Sequence, residues 1–234
     1  VGGVQRVSHQ ELGETAGHLR IEGCETCTVT VGYRAASGGG TAHVHQTEPA
    51  REFFIYPGEW DVLFDGMAIV NVGSEAATVT GSQLVNGQEV FSTELFAGLA
   101  PGTKGLSVFS SVFPSSEGVI RINASQDAIV LFLRGSNDGQ FLYQNVPMQN
   151  AGGDGWIAHI ARFDGSFVSE LFLRNNGTEE ARLTLQPFDA VGNALAKNPI
   201  FLEPGGQSVL SHQALGVDAS FLSFSGCNDC TVTV

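Results

Sequence analysis

Lysine is nearly missing from this chain: Lys104 and Lys197 are the only two in 234 residues. Eleven Lys and Arg against 24 Asp and Glu leave a formal net charge of −13. That field repels phosphate backbones and anionic lipid, and it argues against nucleic-acid or charge-driven membrane binding. No apolar run approaches the roughly 20 residues that span a bilayer, and no basic-then-apolar leader opens the chain. Its Val-Gly-Gly start is expected of a processed or truncated chain. Tryptophan and tyrosine are scarce, two and three against 16 phenylalanines; sugar platforms favour exposed Trp and Tyr, whereas Phe is mainly a core residue. Long amphipathic helices are missing, as is the Gly-x-Ser-x-Gly elbow of a nucleophilic serine. Asp61/Asp65 and Glu179/Glu180, the conceivable acid–base pairs, lie near turns in solvent-type contexts.

What is present is a duplication. Residues 1–31 align without a gap to residues 204–234, an offset of 203, with 16 identities that include Ser8/Ser211, His9/His212, Cys24/Cys227 and Cys27/Cys230. Self-similarity at a fixed period marks a tandem array of supersecondary units, and such arrays serve mostly as scaffolds and binding surfaces.

The pattern within the units is β. Runs of Val, Ile, Leu, Phe and Thr such as Cys27–Tyr33, Met67–Val72, Thr78–Leu84, Val119–Asn123, Ala128–Arg134, Ser169–Arg174, Ala181–Pro187 and Ser220–Phe224 predict strands. Asn86-Gly87, Asn137-Asp138-Gly139, Asn176-Gly177 and Val191-Gly192-Asn193 supply the turns. One helical turn is expected at Ser8–Leu12, where Ser8 and Glu11 have capping-box spacing. A third, diverged copy lies in the middle: Asn71-Val-Gly-Ser-Glu matches Asn175-Asn-Gly-Thr-Glu, and the stretch from Ile122 to Arg134 matches that from Ile21 to Arg34. The expected organisation is a second half-unit at 1–48, a complete unit at 58–148 and a unit lacking its last strand at 156–234. Connectors are expected at 46–58 and 146–155.

Cys24, Cys27, Cys227 and Cys230 form two Cys-x-x-Cys pairs, each after a glycine and before a Thr-Val-Thr-Val strand. A local disulfide across a tight turn is the favoured reading and implies an oxidising compartment. A zinc site needs both pairs to meet in space, a thioredoxin-like motif needs a helix after the pair, and reduced thiols are the remaining option. The middle copy has no cysteines, so the fold does not require them.

The stretch from Trp156 to Thr178 resembles the opening of β-sandwich repeats common in large secreted bacterial surface proteins. Those repeats continue with a DADGN-like turn, here Asp189-Ala-Val-Gly-Asn193, and an APGG-like turn, here Glu203-Pro-Gly-Gly206. The resemblance covers most of 58–234 and implies an all-β fold of tandem immunoglobulin-like β-sandwich units, incomplete at both chain ends. It assigns no functional residue.

His43 and His45 are i, i+2 on a predicted strand and share a face, so with Glu52 they are the weak metal candidates; solvent-facing strand histidines are the plainer expectation. His9 and His212 recur in one Ser-His-Gln context, as structural hydrogen-bonding residues do. No cofactor is expected. Calcium ligands are offered by Ser136–Gly139, Gly153-Asp154-Gly155 and Asn228-Asp229, whose residues are also those of ordinary tight turns. Trp60 and Trp156 are expected to pack at unit boundaries.

The functional expectation is a non-enzymatic, secreted or cell-surface structural protein. Its copies assemble end to end by strand completion through segments 1–48 and 156–234, with the chain itself as partner. The alternatives are a glycan- or partner-binding module of adhesin type, and a fragment of a longer array.

Overall fold

The computed structural model describes residues 5–13, 15–23, 27–34, 39–45, 48–145, 154–161 and 169–234. Within them the chain is all-β, with two four-residue helices, α1 (His9–Leu12) and α2 (His212–Leu215), and one 3-10 turn at Phe109–Ser111. The first strands are β1 (Thr30–Arg34), β2 (Thr41–His45), β3 (Ala50–Ile55), β4 (Leu63–Asn71), β5 (Ala77–Val85) and β6 (Gln88–Leu99). Next come β7 (Lys104–Val108), β8 (Val119–Ser136), β9 (Leu142–Gln144), β10 (Gly155–Ile157) and β11 (Glu170–Asn175). The last are β12 (Ala181–Phe188), β13 (Asn198–Leu202), β14 (Gln207–Ser211), β15 (Phe221–Ser225) and β16 (Cys230–Thr233).

The pivot is β8. The sequence reads as two strands there, 119–123 and 128–134, but the chain forms one continuous strand of 18 residues that changes partners midway. Residues 119–124 run between β3 and β5, whereas 128–136 run between β4 and β9. Two antiparallel ladders result, β3–β8–β5–β6 and β9–β8–β4–β7. Period-2 alternation turns Phe53 and Ile55, Met67 and Ile69, Ile120 and Ile122, and Val130 and Phe132 into one buried core between them. Full burial of each such side chain contributes about 1.5–3 kcal/mol. Ala50–Ile55, inside the stretch 46–58 expected as a connector, forms β3 and belongs to this core.

The same pairing order recurs downstream. The ladder β10–β15–β12–β13 repeats β3–β8–β5–β6, and β14–β11–β16 repeats β7–β4–β8. A second core of Leu171, Leu173, Leu183, Leu185, Leu222 and Phe224 lies between them. Here β15 and β16 are separate strands, with the Cys227 turn between them.

Two buried asparagines show why the Asn-x-Gly motif repeats. Asn71 donates to the carbonyls of Glu75 and Leu99 and accepts from the Gly73 N–H. Asn175 does the same with Glu179, Leu202 and Gly177. Each amide satisfies backbone groups that would otherwise be buried unpaired. The β1–β2 hairpin is a sheet of its own, and Gly40 N–H before β2 donates to the Gly139 carbonyl at 2.9 Å.

Candidate functional site

The cysteine pair at the end of the chain is a disulfide, Cys227–Cys230, with α-carbons 5.5 Å apart across the turn that leads into β16. Cys27 is also disulfide-bonded, and Cys24 lies outside the described residues. His43 and His45 lie on β2 opposite Gly32 and Thr30, and His43 is exposed. Glu52 is exposed on β3, in a different ladder from β2. Among the described residues no group of three or more His, Cys, Asp or Glu side chains is placed to hold a metal.

The Ser136–Gly139 loop, expected as a calcium candidate, uses its side-chain oxygens within the turn. Ser136 Oγ accepts from the N–H groups of Gln140 and Phe141, and Asp138 Oδ1 accepts from Gln140 N–H. The Asp138 carboxyl is held below its ordinary value by the Ser136 side chain and then by that N–H. The Asp229 carbonyl accepts from Asn176 N–H; Gly153, the first residue of the remaining loop, lies outside the described residues.

His9 and His212 make the same bond: the Nε2 atoms sit 3.2 Å from the Ala16 carbonyl and 3.0 Å from the Ala219 carbonyl, positions again 203 apart. Ser8 caps α1 with a reciprocal Glu11 bond, as the spacing predicts. Asp65 departs from its solvent-type expectation. It is buried and accepts from Gly58 N–H, Trp60 Nε1 and, at 2.7 Å, Arg134 Nε. Trp60 thereby takes a packing place beside the first core, as expected.

The duplicated segment has two fates. At the downstream copy His212, Leu215, Ala219, Leu222 and Phe224 are buried. At the upstream copy His9, Leu12, Leu19 and Ile21 are exposed, Leu19 at 41% against 0% for Leu222. Identical chemistry is thus covered once and bare once.

The second surface feature is aromatic. Trp156 is 67% exposed on β10, which departs from a packing role. Its ring lies 5.7 Å from Phe188 and 6.4 Å from Phe221, which themselves stack at 5.0 Å. Inward neighbours Ile157, Leu185 and Leu222 line the core, so these rings stand on the opposite face of the sheet. Sequence spacing does not show the cluster, because 156, 188 and 221 meet only through the β10–β15–β12 pairing.

The two groups of strands meet through β3 and β11. Arg174 places its guanidinium carbon 3.5 Å from the Phe54 ring centroid, and the Tyr56 and Phe172 rings lie tilted against each other with centroids 3.8 Å apart. Arg174 is 7% exposed, and its Nε and Nη1 have no hydrogen-bond partner among the described residues; neither does Nε2 of Gln207, its register partner on β14. Burial first of all pushes the Arg174 guanidinium down to about 10.

No protein-family model matches the chain, and neither a curated protein nor a solved structure matches it significantly.

Proposed function

We propose that this is a non-enzymatic, extracellular structural protein of tandem immunoglobulin-like β-sandwich units that assembles end to end through strand completion between subunits. The observation that carries it is the double fate of one segment: Leu12, Leu19 and Ile21 are exposed, whereas their duplicates Leu215, Leu222 and Phe224 are buried against β10–β13. A sequence selected to sit on such strands, and left bare, is an assembly surface for a neighbouring chain. A repeated head-to-tail contact that does not close gives a filament. The Cys227–Cys230 disulfide supports an oxidising, extracellular setting.

The test is light scattering behind size exclusion, with negative-stain images of the same sample. Mass rising with concentration, or regular fibres, supports the reading; a sharp monomer of 24.7 kDa over the whole range overturns it. Leu19→Ser should weaken association and leave the melting of the chain unchanged, whereas Leu222→Ser should unfold the downstream core.

A second reading is a glycan-binding module of a surface protein. The exposed Trp156 ring beside Phe188 and Phe221 favours it, since pyranose faces stack on such rings.

A further inference from the structure

The aromatic face around Trp156 has a counterpart elsewhere in the chain, and that counterpart is covered. Register fixes the correspondence. Trp156 pairs with Ser223 between the pairs Gly155–Phe224 and Ile157–Leu222. Phe54 pairs with Arg121 between the pairs Phe53–Ile122 and Ile55–Ile120. On the next strand Gln186 faces Ser223 as Ser82 faces Arg121, at the same spacing that relates Asn175 to Asn71. Trp156 therefore stands where Phe54 stands.

Phe54 lies under Arg174 of β11, and Tyr56, next on the same side of its strand, lies against Phe172. The outward face of a β3-type strand is thus closed by the outward face of a β11-type strand. Counting back from Asn175 and Asn71, the places of Arg174 and Phe172 are taken on β4 by Val70 and Ala68. Beside Ala68 on β7 stands Leu106, 65% exposed, with Val108 also exposed. Within the chain the duplicated segment already reaches this face: Lys104 Nζ donates at 2.9 Å to the carbonyl of Gly17, the duplicate of Ser220, which adjoins Phe221.

Resting on the tandem-unit assembly proposed above, we infer that the Trp156–Phe188–Phe221 face of one chain docks on the outward β4–β7 face of a second copy, around Ala68, Leu106 and Val108. The two faces differ, so each chain offers one of each and the contact propagates without closing. The Trp156–Phe188–Phe221 centre is uncharged, and the exposed Lys104 on the β4–β7 side is opposite in sign to the acidic chain that docks there.

The experiment uses the full chain with Trp156→Ser and Leu106→Ser, two changes at exposed positions, each checked for an unchanged melting profile. Wild type should gain mass with concentration, and either variant alone should raise the apparent dissociation constant at least tenfold. An equimolar mixture of the two should stop at a dimer, because only one intact contact can form per pair. If wild type assembles and Trp156→Ser assembles equally well, this interface is wrong while the assembly reading stands. If wild type stays monomeric throughout, both fall; loss of binding to immobilised neutral polysaccharide on Trp156→Ser would then assign the face to a glycan.

Discussion

Arg174 sits over the ring of Phe54, its guanidinium carbon 3.5 Å from the centroid, although 120 residues of sequence separate them. The stack is favourable by up to about 2 kcal/mol when desolvated. Against it stand two buried guanidinium nitrogens without partners, each costing about 1–3 kcal/mol. The cost is the larger. Arg174→Met keeps the stem and a sulfur contact to the ring while removing the stranded donors. It should therefore raise stability by about 1 kcal/mol in denaturant melts.

That gain has a pH window. Burial holds Arg174 at about 10, well below its ordinary value, so the folded state pays for the charge at all lower pH and is relieved as pH rises through 10. The advantage of Arg174→Met should hold from neutral pH to about 10 and narrow above it. A loss of stability in the variant at neutral pH would mean that the cation–π stack outweighs the stranded donors.

Asp65 and Arg134 form the opposite kind of buried cation site, one that is fully paired. The carboxylate takes three donors, and Arg134 also reaches the Tyr56 carbonyl through Nη2. Removing one partner leaves the other charge buried and alone, so Asp65→Ala should cost about 3–5 kcal/mol. Thermal melts of Asp65→Ala and of Asp65→Leu with Arg134→Met check this; the double variant should recover most of the loss. Equal loss in both would show that packing rather than charge pairing sets the cost.

The disulfide closes only a short turn, for which loop entropy gives about 2 kcal/mol. In the equivalent stretch of β8, Ser125 and Ala128 occupy those places and the strand simply continues. Cys227→Ala with Cys230→Ala should lower stability by about 2 kcal/mol and keep the β signal in circular dichroism. Under mild reductant Cys27, which is exposed, should be alkylated before the buried Cys230.

Much of the fold was legible in the residues. Alternating Val, Ile, Leu and Phe runs located β4, β5, β8, β11, β12 and β15, because period-2 burial is a local property of the pleat, but not the 12-residue β6. Asn86, the one described non-glycine residue with positive φ, at 51°, sits with Gly87 in the expected turn between β5 and β6. The Ser8–Glu11 spacing gave the cap of α1. Three features were misread for one reason. The continuity of β8, the membership of β3 in the first core and the pairing of Asp65 with Arg134 depend on partners 50 to 80 residues away, and no local window contains them.

The sequence by itself determined the β character of the chain, its duplication, and the turn and cap chemistry, since each follows from side-chain periodicity and from residues that tolerate particular backbone angles. Tertiary structure alone decided which copy of the duplicated segment is buried and that Trp156, Phe188 and Phe221 share a face. It alone also decided that Arg174 covers Phe54. Burial is a relation between segments, so two duplicated stretches of sequence can have opposite fates when only one of them has a core to lie against.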